Sequence, residues 1–191
     1  MWDEDPDPNG EGYVAPRVVA APYILWEAGA VRAKAARCLV LGVRGAGALF
    51  VQKCLCEGVA GTTRVGAVVE PSPGAALPQT VEEAAEEPLS GLIYERGGVL
   101  LIAVQYHVPV ERTYAWAALL FGEVAVERLV VLDIVQIHSF FNSTPDPPVP
   151  PLLFKLETPV HQDEGASRPA AAIPSLPSPN HAVDLAGALC P

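Results

Sequence analysis

The chain has 191 residues, half of them apolar and 18% charged, with 22 Asp and Glu against 12 Lys and Arg for a net charge of -10. This composition excludes wholesale disorder and leaves ample material for a core. So acidic a surface also speaks against nucleic acid or an anionic membrane as partner.

The length predicts one domain. Residues 1–16 carry Asp3, Glu4, Asp5, Asp7 and Glu11 among Pro and Gly, and read as a disordered acidic lead-in with no signal-peptide pattern. Val18 to Trp26 is expected to add an edge strand or an extended packing segment. Cys38 to Val43 (CLVLGV) is a continuous apolar run, the signature of a strand covered on both faces, as in parallel sheets. A turn at Gly45-Ala46-Gly47 should lead into a helix from Ala48 to Cys56, stopped by Gly58, and Arg64 to Val69 should be a strand closing a β-α-β unit.

Thr80 to Glu87 has the capping-box pattern, Thr80 with Glu83 three residues on. Its four carboxylates Glu82, Glu83, Glu86 and Glu87 read as a solvated face. Arg96-Gly97-Gly98 between Leu92–Glu95 and Val99–Tyr106 predicts a hairpin. Pro109 should open a helix running to Phe121 and ended by Gly122. This helix is apolar around most of its girth, with Tyr114, Ala117, Ala118 and Phe121 on one stripe and Trp116, Leu119 and Leu120 over much of the rest. It should therefore touch more than a sheet, a partner subunit included. Arg128 to Gln136 and Leu152 to Glu157 are expected strands.

More than half of the 20 prolines follow residue 140. Residues 17–158 are accordingly read as the α/β domain, 159–179 as a Pro/Ala-rich linker, and 180–191 as a helix capped by Asn180 and cut short. The expected architecture is a mostly parallel central sheet flanked by helices. The longest apolar run, Cys38 to Val51, is interrupted by Arg44 and is too short to span a bilayer. Of the four cysteines, Cys38, Cys54 and Cys56 lie in apolar runs and Cys190 near the end, so reduced, buried thiols in an intracellular protein are expected.

The sharpest local signal for chemistry is the strand–turn–helix–strand from Leu39 to Glu70. Gly42, Gly45 and Gly47 would let a dinucleotide's pyrophosphate approach the backbone, and Glu70 would take ribose hydroxyls. The order is G-x-x-G-x-G, however, and Phe50 stands where the third glycine belongs, so an ordinary β-α turn is the better reading. Ser90, Ser139 and Ser143 lack a nucleophile elbow, and His107, His138, His161 and His181 lack metal-ligand spacing. His107 follows a strand and Asp133 lies within one, which would let them pair across neighbouring strands. A rim histidine and a hydrogen-bonded structural aspartate are the simpler reading. No catalytic or metal set, and no cofactor, is expected.

The second half resembles a known family. LLIAVQYHVPVERTYAWAALLFGEVAVERLVVLDIVQ followed by FKLET is similar to the plant and algal form of the proteasome assembly chaperone 1 family. Val104-Gln105, Glu111-Arg112, Glu127-Arg128, Asp133 and Phe154 to Thr158 occupy the family's pattern. CLVLGVRGAGALF and RVGAVVEP resemble its first strand, helix and second strand. The resemblance implies a nucleoside-phosphorylase-like α/β fold without that activity. It also implies pairing with proteasome assembly chaperone 2, contact with proteasome α-ring subunits, and a place in the cytoplasm and nucleus. The family's hydrophobic-Tyr tail has no counterpart in Gly187 to Pro191, which suggests a truncated C-terminus.

Overall fold

In a computed structural model, residues 20–30, 36–134, 153–156 and 173–176, with Ala186 and Leu189, are described. They form a six-stranded mixed sheet with helices on both faces. The strands are β1 (Tyr23–Trp26), β2 (Cys38–Val43), β3 (Thr63–Val69), β4 (Ser90–Arg96), β5 (Val99–Val104) and β6 (Leu129–Leu132), in the spatial order β1-β3-β4-β5-β2-β6. The helices are α1 (Arg44–Phe50), α2 (Val81–Glu86) and α3 (Thr113–Glu123).

The sheet is not mostly parallel. β2 runs parallel to β5 and β6, whereas β1–β3, β3–β4 and β4–β5 are antiparallel. An apolar run reports burial on two faces, which a central antiparallel strand shares with a parallel one once helices cover both sides. The antiparallel half follows from the turn between β4 and β5. Gly97 and Gly98 both take positive φ, 59° and 81°, the two-residue primed geometry that matches strand twist.

The expected β-α-β unit is also corrected. After β2 the chain crosses two strand positions before laying down β3, so β5 and β4 stand between them. The connection from β5 runs the other way, over β2 to β6. The two connections therefore pass over each other's strands instead of diverging from adjacent ones.

Side chains alternate cleanly to the two faces. Leu39 and Leu41 of β2 join Leu100, Ile102 and Val104 of β5, Val68 and Ile93 beneath Trp116, Ala117 and Leu120 of α3. Leu101 and Ala103 face the other way, against Val51 and Cys56 after α1, and Ala67 and Val69 pack on Val81 and Ala84 of α2. Leu189 also belongs to the α3-side core.

Local expectations fare unevenly. The Thr80 cap forms as predicted, its Oγ1 accepting from the Glu83 N–H at 3.1 Å, while Glu83 returns a bond to the Gln79 N–H at 2.7 Å. The glycine turn after β2 is tighter than expected, confined to a non-helical kink at Gly45 (φ 56°, ψ -133°) within Arg44–Phe50, and the helix beyond it continues into a π-helical turn over Val51–Cys56. The helix expected from Pro109 opens as a 3-10 turn, Val110–Arg112, and Gly122 lies inside α3 and does not end it. Around Lys155 there is an isolated bridge to Ser175 in place of a strand. Cys56 is buried and Cys38 half-buried, but Cys54 is exposed, contrary to expectation, because it falls on the outer side of the π turn. Cys190, the acidic lead-in, Ser139, Ser143, His138, His161, His181 and nearly all of the linker and final helix lie outside the described residues.

Candidate functional site

The three glycines singled out for nucleotide chemistry lie at the carboxyl end of β2, but packing has used them. A Cβ on Gly42 would lie 2.5 Å from the Gly47 carbonyl oxygen and 2.8 Å from Ala48 Cα. One on Gly47 would lie 2.2 Å from the Leu132 carbonyl oxygen. These glycines let α1 settle directly on β2 and β6, so the space a pyrophosphate needs is filled by the protein's own backbone. Gly45, at φ +56°, makes the sharp exit from β2 and is covered by Ile134. Arg44 before it carries φ +23°, a strained value for a residue with a side chain.

Glu70 does not join the glycines. It sits three strand spacings from β2, about 14 Å. It is buried, with Oε1 accepting from Arg112 Nε at 2.7 Å and Oε2 from Trp116 Nε1 at 2.6 Å. Arg112 also donates through Nη2 to the Ala20 carbonyl at 2.5 Å. The Tyr106 ring meets Trp116 edge-on, its phenol pushed above its usual range by burial and, secondarily, by the negative charge of Glu70. This clasp ties the end of β3, the start of α3 and the strand-1 lead-in together. The sequence reading missed it. The available signal was a carboxylate ending a fully apolar strand, which burial obliges to find a cation.

His107 and Asp133 do not pair across neighbouring strands, since β2 stands between β5 and β6. His107 is exposed, and its Nδ1 accepts from Arg44 Nη1 at 3.1 Å. Asp133 lies just past β6 and is half-buried, not inside a buried strand, and its Oδ1 accepts from the Ile134 N–H at 2.8 Å. Ser90 Oγ is turned to the Ala84 and Glu87 carbonyls at the end of α2, which leaves it a capping group. Among the described residues no group of three or more His, Cys, Asp or Glu could hold a metal, and no helix is long and apolar enough to cross a membrane.

Bulky apolar side chains stand exposed on the outer side of α3, as do Leu49 and Phe50 of α1. Thr113, Trp116, Ala117 and Leu120 point inward and are buried. On the opposite side Tyr114 is 78% exposed, Val110 of the preceding turn 61% and Phe121 49%, with Ala118 and Gly122 also exposed. The spacing 110, 114, 118, 121 places Val110, Tyr114, Ala118 and Phe121 on one stripe. Tyr114, Ala118 and Phe121 of the expected stripe are therefore solvent-facing, and Ala117 turns into the core. The clasp anchors this helix at its first turn, so the stripe is held on a rigid support.

No family model matches the chain, and no curated protein was found to match it.

Proposed function

We propose that this protein is a non-catalytic subunit of a proteasome assembly chaperone, of the chaperone 1 kind. In this reading it pairs with a chaperone 2 partner and helps to assemble the α-ring of the core particle through surface complementarity, without a cofactor. The observation that carries the reading is the outer face of α3: bulky apolar side chains left in water on a helix whose other side is clasped into the core. Such a patch costs free energy unless a partner covers it.

The positions behind the family resemblance support it further, since they fall at element ends. Val104-Gln105 closes β5, Glu111-Arg112 opens α3, and Glu127-Arg128 precedes β6. Arg112 gives one of them a physical task, the buried pair with Glu70. The glycine junction disfavours the dinucleotide alternative, because its three glycines and its acid are engaged in packing.

Co-expression with a chaperone 2 partner, followed by size exclusion, tests the proposal. A stoichiometric complex is expected. A monodisperse chain that ignores the partner would overturn it.

A further inference from the structure

The outer face of α3 is apolar in the middle and acidic at its ends. Glu111 stands exposed beside Val110 at the start, and the half-buried Glu123 and exposed Glu127 follow Phe121 at the finish. From Val110 to Glu127 the one cation is Arg112, and it is turned inward to Glu70. No basic residue lies in the last turn of α3 to meet its carbonyl end, where Glu123 adds a further negative charge. A second copy of this chain would set acid against acid at both ends, on top of a net charge of -10 on each. Charge asks for a basic partner.

Gly122 narrows what that partner presents. It lies on the exposed side of α3, one turn beyond Ala118, and its φ is not positive. A Cβ added there would meet nothing within 4 Å. Among the described residues neither a turn nor a close approach explains a glycine at this place, and only proline is a poorer helix former. Ala118 and Gly122 thus leave a notch beside Tyr114 and Phe121, low enough for another backbone to come close. A strand laid there would leave its own N–H and C=O groups unpaired, because the side of a helix offers them no partners. A helix brings its backbone already satisfied.

We propose that α3 receives an amphipathic helix of the partner. Its apolar side packs on Tyr114, Ala118 and Phe121, its backbone comes closest at Gly122, and it carries a Lys or Arg at each end, opposite Glu111 and Glu123. Those two acids lie about 19 Å apart along α3 and the turn before it, so the cations stand about three and a half turns apart on the docking helix. Such a helix rests on the proposed role of α3 as the docking face and specifies what meets it.

The test measures binding of full-length chains to the proposed chaperone 2 partner by surface plasmon resonance at low and physiological salt. Glu111→Lys with Glu123→Lys should slow association at low salt at least about tenfold and flatten its salt dependence. Glu86→Lys with Glu87→Lys makes the same change in net charge at exposed positions of α2, across the sheet, and should slow association far less. Gly122→Leu should weaken binding at least about tenfold while its melting temperature stays level or rises. A fall in melting temperature would show that the chain's own packing needs the glycine, and would overturn its role in docking. If the native chain binds, but the α3 pair slows it no more than the α2 pair or Gly122→Leu binds equally well, the basic helix is overturned and the partner reading stands. A native chain that does not bind overturns the partner reading itself, and the helix with it.

Discussion

The junction of β2 with α1 and the outer face of α3 both carry a signal of function in the sequence, and only one keeps it in three dimensions. At the junction, three glycines and a turn suggest a ligand cradle, but backbone atoms of Gly47, Ala48 and Leu132 already occupy the room the missing side chains leave. At α3, an excess of apolar residues suggests a second neighbour, and Val110, Tyr114 and Phe121 indeed stand in water. Glycine marks any close approach of backbone, and another piece of the same chain is the commonest thing to approach. A large apolar side chain left exposed has no comparable internal use.

This contrast can be broken at several points. The largest effect is expected for Glu70→Ala. Removing the carboxylate strands Arg112 and the Trp116 N–H in the interior, and loss of one partner of a buried pair costs about 3–5 kcal/mol. Urea denaturation should show this, and an unchanged midpoint would restore Glu70 as a free, ligand-ready acid. Gly47→Ala comes next, at about 2–3 kcal/mol, because its methyl meets the Leu132 carbonyl backbone and not a flexible side chain. A neutral result there would reopen the cradle.

A smaller effect separates the thiols. Burial pushes the Cys56 thiol up to about 11, opposed by Arg96, so it stays protonated at pH 8, while Cys54 is exposed. Iodoacetamide at pH 8 should modify Cys54 first, with Cys56 reacting only near pH 11 or after unfolding. The sign for stability follows. The unfolded thiol ionises near 9 and the folded one near 11, so stability falls as pH rises through that window. Smallest of all, Tyr114→Ala should change stability by no more than about 0.5 kcal/mol, since its side chain is mostly in water. A large loss would mean that the described surface is not its environment.

Much of the fold was legible because each local signal had one physical meaning. Thr80 with Glu83 fits a helix cap, Gly97-Gly98 a hairpin turn, and CLVLGV a strand covered on both faces, and each forms. Strand direction was not legible, because burial on both faces carries no information about which neighbour lies alongside. The order β5-β2-β6 depends on contacts distant in sequence, and it removes the His107–Asp133 pairing that the sequence leaves open as the less favoured reading. The Arg112–Glu70–Trp116 clasp was hidden for the same reason: its members are 42 and 46 residues apart. The α3 stripe was readable since a helix's period lies within a dozen residues, although which flank faced water required the sheet.

The most direct measurement is the affinity of the proposed chaperone 2 partner for the native chain and for Tyr114→Asp with Phe121→Asp, by titration calorimetry, with thermal unfolding of each chain alongside. A charge pair buried in an apolar contact should weaken binding at least about a hundredfold, while the melting temperature moves little. Equal affinities in the two chains would contradict the assignment of α3 as the docking face.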